Sequence, residues 1–215
     1  MSLVIIGAGY VGLPLAIEFS KTFKVFCYDI NKIRIKSLNR GFDVNKQHSK
    51  KEIIKKNLIF TNDINILKQK KYYIITTPTP IKSNKTPDLQ MLKKASIQVG
   101  KLIRKGSTIV FESTTYPGCT EEFCIPLIEK YSKKKFEKDF FVAYSPERVN
   151  PGDKINTLKT IVKVTSGSNE IASREVDLMY KKIIEAGTFK TSSIKVAEAS
   201  KSIENAQRDL NISFS

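Results

Sequence analysis

With 215 residues, 40% of them hydrophobic, the chain can bury a substantial core in one large domain, or one domain plus an extension, which excludes a disordered tail. A net charge of +16 raises the question of a polyanionic partner, but the lysines are spread along the whole chain with no nucleic-acid-binding module, so solvated lysine faces account for them and no nucleic-acid partner is expected. Three cysteines, an odd number, argue against a disulfide framework, and the single histidine, His48, reads as a solvent-exposed residue of a polar loop and leaves no metal site.

The first thirty residues organise the rest. Leu3 to Ile6 is a short apolar run that breaks into Gly7-Ala8-Gly9-Tyr10-Val11-Gly12, followed by a helix-prone stretch, Leu13 to Lys21, and a second apolar run, Lys24 to Tyr28, that ends in Asp29. The order is strand, glycine turn, helix, strand, acid, the arrangement that binds a dinucleotide. Gly7 permits the tight turn, Gly9 admits a pyrophosphate close to the backbone, and Gly12 lets helix pack on strand. The helix N-terminus presents free amides to the phosphates, and Asp29 accepts hydrogen bonds from ribose hydroxyls. An acid at that place repels a 2'-phosphate and favours NAD over NADP, a preference that the nearby Lys32 and Arg34 weaken. The same apolar stretch has no basic segment before it and is interrupted by Pro14 and Glu18, so it reads neither as a signal peptide nor as a membrane span. A cytoplasmic protein without a membrane partner is expected.

Further along, Lys32 to Asn39 reads as a short helix closed by Gly41, and Lys51 to Lys56 as a possible second, before a brief strand at Leu58 to Phe60. Tyr72 to Ile75 is a buried strand that stops at Thr76-Thr77-Pro78-Thr79-Pro80, where two prolines force a turn. Asp88 to Arg104 is an amphipathic helix with Leu89, Leu92, Ala95, Val99 and Leu102 on one stripe. Thr108 to Phe111 is the next strand, ending in Glu112-Ser113-Thr114, and a helix starts near Thr120. Phe140 to Tyr144 is another strand, breaking at Ser145-Pro146-Glu147-Arg148, and Ile161 to Val164 is the last.

Strands separated by helices of this length predict an α/β fold, a doubly wound, mostly parallel sheet of Rossmann type. In such a sheet ligands lie outside the carboxyl ends of the strands. The glycine turn, Asp29, Thr76 to Pro80, Glu112 to Gly118 and Ser145 to Arg148 all fall there, and are expected to converge on one cleft. The final segment, Ser193 to Ser215, places Glu198, Lys201, Asn205 and Arg208 three or four apart as a polar stripe on a helix. That helix reaches the chain end without a cap and reads as the truncated start of a long linking helix. The expected organisation is a cofactor domain over residues 1–190 and the beginning of a linking helix over 191–215.

In combination and order, Ile6 to Pro14, Thr77-Pro78-Thr79-Pro80, Glu112-Ser113-Thr114, Ser145-Pro146-Glu147-Arg148 and Lys195-Val196-Ala197-Glu198-Ala199 resemble the UDP-glucose/GDP-mannose dehydrogenases. These are NAD-dependent enzymes that oxidise a sugar nucleotide at C6 to a uronic acid. The forms Tyr116 to Glu122 and Asn150-Pro151-Gly152-Asp153 look most like the bacterial members that act on UDP-N-acetylglucosamine in surface polysaccharide synthesis. The resemblance implies that Gly7, Gly9, Tyr10, Val11, Gly12, Asp29, Arg34, Thr79 and Thr114 hold NAD. It implies that Glu147 activates water as a base, and that Lys201 and Asn205 stabilise the oxyanion and position that water. It also implies a UDP-sugar substrate and a homodimer formed through the C-terminal helix.

Two departures qualify this. A second acid of some glucose-specific members falls here on Pro151, which fits an acetamido-sugar enzyme better. The reaction of the family passes through a covalent adduct on a cysteine in a Gly-Gly-x-Cys motif that this sequence lacks; Cys27, Cys119 and Cys124 read as structural, with Cys119 the marginal exception. The chain alone is therefore expected to bind NAD without turnover. A non-catalytic NAD-binding or dimerising remnant of such an enzyme is the alternative reading.

Overall fold

The computed structural model describes residues 2–149 and 157–213; the Asn150 to Asp153 motif, Pro151 with it, lies outside the described residues, as does the side chain of Arg208. Six strands form one sheet: β1 (Ser2–Ile6), β2 (Lys24–Tyr28), β3 (Leu58–Thr61), β4 (Tyr72–Ile75), β5 (Ser107–Phe111) and β6 (Phe140–Tyr144). Their spatial order is β3-β2-β1-β4-β5-β6, and every neighbouring pair is parallel. Parallel strands are buried on both faces, which is why they read as unbroken apolar runs rather than alternating ones.

Successive residues of one strand serve opposite cores. Leu3 and Ile5 face the cluster covered by α1 (Gly12–Phe19), α2 (Lys32–Asn39) and, after them in the chain, α6 (Glu170–Tyr180). Val4 and Ile6 face the opposite cluster, with Leu92, Ala95 and Val99 of α4 (Gln90–Leu102) and Ile125 and Ile128 of α5 (Ile125–Ser132). The first turn of α7 (Ile194–Ser213) joins that second core through Ile194 and Ala197. The helices thus lie on both faces of the sheet, the doubly wound arrangement that the sequence predicts. The expected stripe of α4 is the buried one.

Three local differences have physical causes. Helix over Lys51 to Lys56 is reduced to one turn, α3 (Lys50–Ile53), capped by a reciprocal Ser49 and Glu52 pair; Ile54 leaves it in an extended conformation. The expected helix near Thr120 begins as a π-helical turn, Thr120–Cys124, before α5. The strand at Ile161 to Val164 is not the last and not part of the main sheet: β7 (Lys163–Thr165) pairs in parallel with β8 (Thr188–Lys190) as a separate two-stranded sheet, with α6 between them. Thr188-Phe189-Lys190 is too short and too polar to signal itself. Among the described residues no helix is long and apolar enough to cross a membrane.

Candidate cofactor and catalytic site

In the order β3-β2-β1-β4-β5-β6 the connections reverse direction between β1 and β4, and a ligand crevice opens at such a reversal. Gly7, at the end of β1, has φ +107°, a conformation that suits glycine. A Cβ on Gly12 would stand 1.9 Å from the Gly7 carbonyl oxygen and 2.5 Å from Thr76 Oγ1, so only glycine lets the turn fold back on itself and on the end of β4. Thr76 fixes that closure, its hydroxyl lying 3.0 Å from the Ile6 carbonyl and 3.1 Å from that of Gly7. A Cβ on Gly9, by contrast, would meet nothing within 4 Å.

The turn is therefore packed against protein at Gly12 and open at Gly9. That open cradle fits the pyrophosphate of NAD; within the first turn of α1 the Leu13 and Leu15 amides already donate to the Gly9 and Val11 carbonyls, at 3.1 and 3.4 Å, and Pro14 has no amide hydrogen. Tyr10 is exposed and Val11 half-buried at the rim.

Asp29 follows β2. Its Oδ2 accepts the Ala8 amide at 2.8 Å and its Oδ1 the Asn31 amide at 2.8 Å, which ties the glycine turn to the neighbouring strand end and leaves a lone pair on each oxygen for ribose hydroxyls. Arg34 lies behind the turn rather than across it. Its Nε donates to the Ala8 carbonyl at 3.0 Å and its Nη1 to Asp43 Oδ1 at 2.6 Å, with the guanidinium buried. Burial of Asp43 works against its charge, but the Arg34 bond and the Asn45 and Gln47 amides prevail and hold its carboxyl below the usual range. Arg34 thus braces the Ala8 carbonyl, and its charge is matched inside the protein.

The loops after β4 and β5 are bonded to each other. The Thr79 hydroxyl donates to the Thr114 carbonyl at 2.5 Å and the Ser113 hydroxyl to the Thr77 carbonyl at 2.6 Å. Thr79 and Thr114, both expected beside the cofactor, are therefore neighbours.

The loop after β6 carries Glu147. Its Oε1 accepts the amides of Arg148 and Val149 at 2.7 and 2.8 Å, and Arg148 Nε pairs with Glu204 Oε2 of α7 at 3.0 Å. The pair binds the Glu147 loop to the helix that carries Lys201 and Asn205. A second anchor holds the helix: the buried carboxylate of Glu198 accepts from the amides of Gly118 (2.6 Å) and Thr120 (2.9 Å) and from the hydroxyls of Thr120 (2.6 Å) and Thr115 (3.3 Å). Lys201, one turn on, is also buried, and Asn205 half-buried. The polar stripe of this helix is thus turned into the protein at its first two members.

A charged cluster beneath the Glu147 loop escaped the sequence reading. Lys163 Nζ donates to Glu112 Oε2 at 2.7 Å and to the Pro146 carbonyl at 3.0 Å, and lies 3.5 Å from Glu147 Oε2. Tyr180 Oη donates to the other oxygen of Glu112. Burial, with the Glu147 charge adding to it against Lys163, pushes the Glu112 carboxyl up to about 7. The signal was present: a lysine within the apolar run Ile161 to Val164 requires a buried partner.

The three thiols are free and fully buried. Burial, with Asp29 beside it, raises the Cys27 thiol; Cys119 and burial raise that of Cys124. His48, expected in solvent, is instead largely buried, its Nδ1 3.7 Å from Glu52 Oε1 and its side chain 17% exposed, because the Asp43 carboxylate gathers the amides of Asn45, Gln47 and His48 and folds their loop inward.

Residues 1–184 match the model of the UDP-glucose/GDP-mannose dehydrogenase family, NAD binding domain. The chain is 51% identical over its full length to a UDP-N-acetyl-D-glucosamine 6-dehydrogenase of Salmonella typhi and 50% identical to one of Pseudomonas aeruginosa. It covers 51% of each, so it spans about half the length of these curated relatives. Among solved structures, the UDP-D-ManNAc dehydrogenase of Pyrococcus horikoshii superposes with a TM-score of 0.92 at 31% identity, with all of this chain and 52% of that one covered. A GDP-mannose dehydrogenase of Pseudomonas aeruginosa, solved as a ternary complex, gives 0.91 at 25% identity, with 100% and 51% covered. The open glycine cradle, the acid at the end of β2 and these likenesses agree: the chain belongs to the UDP-glucose/GDP-mannose dehydrogenase family and carries its NAD-binding domain.

Proposed function

We propose that this chain is the cofactor-binding half of an enzyme that oxidises C6 of a UDP-N-acetylhexosamine, UDP-N-acetylglucosamine above others, to the uronic acid. One observation carries the reading. The Glu147 loop, tied through Arg148 and Glu204 to the helix of Lys201 and Asn205, opens at the same carboxyl edge of the sheet as the glycine turn and Asp29. The 51% and 50% identities to UDP-N-acetyl-D-glucosamine 6-dehydrogenases support the choice of sugar.

NAD, when bound, supplies the acceptor for the electrons that leave the sugar. The open backbone of the glycine turn at Gly9 receives its pyrophosphate, Asp29 receives ribose hydroxyls, and Tyr10, Val11, Thr79 and Thr114 line the cleft, with Arg34 bracing the turn. Glu147, its carboxylate fixed by two loop amides, accepts a proton from the attacking water. Lys201 presents a cation to the developing oxyanion, and Asn205, one turn on, orients the water. The burial of Cys27, Cys119 and Cys124 supports a nucleophilic thiol that belongs to none of them.

Residues 1–190 form the cofactor unit in this reading and 191–215 begin a linking helix. Val196, Ile203 and Leu210, exposed at seven-residue intervals along α7, support pairing of two copies through that helix. Three free thiols support a reducing compartment, the cytoplasm.

Glu147→Gln in the native-length enzyme tests the assignment. NAD affinity stays and turnover falls by about two to four orders of magnitude; unchanged turnover would overturn it. A native protein that binds NAD and oxidises no sugar nucleotide would point instead to a non-catalytic NAD-binding module.

A further inference from the structure

Lys163 is 3% exposed, on a strand outside the main sheet, and its ammonium has crossed to the underside of the Glu147 loop. A buried cation persists only where anions and carbonyls replace its water. Here they are Glu112 from the end of β5, the Pro146 carbonyl, and Glu147 itself. Tyr180 on α6 donates to Glu112 and Tyr144 on β6 to the Ser113 carbonyl, while α7 adds Glu204, paired with Arg148 of the loop itself, and the buried Lys201.

The two oxygens of Glu147 are not equivalent. Oε1 is held by the Arg148 and Val149 amides, and Oε2 is the one that faces Lys163. Without the cation, Oε2 would stand in a largely buried site beside a second carboxyl, Glu112, with no positive charge beneath it, an arrangement that favours the protonated form. A protonated Glu147 has no capacity to accept one from water.

We propose that Lys163 is a positioning residue for Glu147: from beneath the loop it pairs with Oε2 of that side chain and fixes the preceding carbonyl, while Glu112 and Tyr180 hold the lysine in place. The proposal rests on the catalytic reading of Glu147 for its consequence, though not for its test.

The test is carbon NMR of the 215-residue chain labelled at the glutamate carboxyl carbons, with the Glu147 resonance identified by its loss in Glu147→Gln. The principal variant is the double substitution Lys163→Met with Glu112→Gln, which removes the buried cation and its buried counter-anion together. In it the Glu147 titration midpoint rises by about one pH unit or more, the effect of losing an adjacent opposite charge. Glu112 holds its own proton up to about pH 7, so Glu112→Gln alone leaves the Glu147 midpoint near the wild-type value. Lys163→Arg, which keeps the cation, leaves it near the wild-type value. A midpoint in the double variant equal to that of wild type overturns the proposal; should that variant unfold, Lys163→Gln with Glu112→Gln, which keeps a polar side chain without the charge, takes its place with the same expected rise and the same overturning result. Turnover of Glu147→Gln in the native-length enzyme, a separate measurement, decides the catalytic role independently of these midpoints.

Discussion

The Oε2 atom of Glu198 accepts the amide hydrogen of Gly118 at 2.6 Å, across eighty residues of sequence and with both groups inside the protein. The same carboxylate takes the Thr120 amide and hydroxyl, so one side chain of α7 closes the loop after β5 and fixes where Lys201 is presented. Glu198→Ala would leave those donors buried and unmatched. The expected loss is about 3 kcal/mol, or roughly 10 °C in melting temperature for a chain of this size. Glu198→Gln, which keeps one acceptor oxygen, loses less. Thermal unfolding of the three proteins checks the order, and hydrogen exchange along α7 shows whether the helix is released.

Gly12 and Gly9 make opposite demands. At Gly12 an added methyl meets the Gly7 carbonyl at 1.9 Å, while at Gly9 it meets no protein atom within 4 Å. Gly12→Ala should therefore lower both stability and NAD affinity. Gly9→Ala should leave the melting temperature within about 2 °C of wild type, as open-site substitutions do, and weaken NAD binding by tenfold or more through contact with the pyrophosphate. Calorimetric titration with NAD beside a thermal melt separates the two.

In the proposed cofactor site a carboxylate at Asp29 would repel a 2'-phosphate. The chain should bind NAD at least tenfold more tightly than NADP, and Asp29→Asn should narrow the gap. Equal affinities in the wild type would contradict this. Because Arg34 is engaged by Asp43 and the Ala8 carbonyl, Arg34→Lys should reduce affinity for both cofactors rather than alter the preference.

Glu112 gives stability a pH dependence of unusual sign. Its carboxyl ionises near pH 7 in the fold and near 4.5 when exposed, so between those values the folded chain holds a proton that the unfolded chain has released. Its contribution falls as pH rises from about 4.5 to about 7 and is flat above. Urea unfolding of wild type and Glu112→Gln at the two ends of that interval should show the variant gaining about 3 kcal/mol on the wild type. Parallel behaviour would contradict the burial and pairing described.

The fold was legible because its signals are local. Short apolar runs, closed by Gly7, Asp29, the Thr76 to Pro80 turn, Glu112 and the Ser145-Pro146 turn, mark five of the six strands of the main sheet, and the glycine turn with Asp29 points to the cofactor half of the proposed site. What escaped depends on long-range pairing. Nothing near Glu112 in sequence reveals that Lys163 lies against it, fifty-one positions on, and β8 exists only because β7 gives it a partner. The polar stripe of α7 was visible by spacing, but its turn inward was not, since the acceptor demand comes from Gly118 and Thr120.

The most direct test is NADH formation by the native protein, purified at the length its cells produce and supplied with NAD and UDP-N-acetylglucosamine. Converting a primary alcohol to a carboxylate removes four electrons, so two NADH should form for each sugar nucleotide consumed, and Glu147→Gln should lower steady turnover by about two to four orders of magnitude. No NADH from any UDP-N-acetylhexosamine, with NAD binding intact, would contradict the proposed reaction.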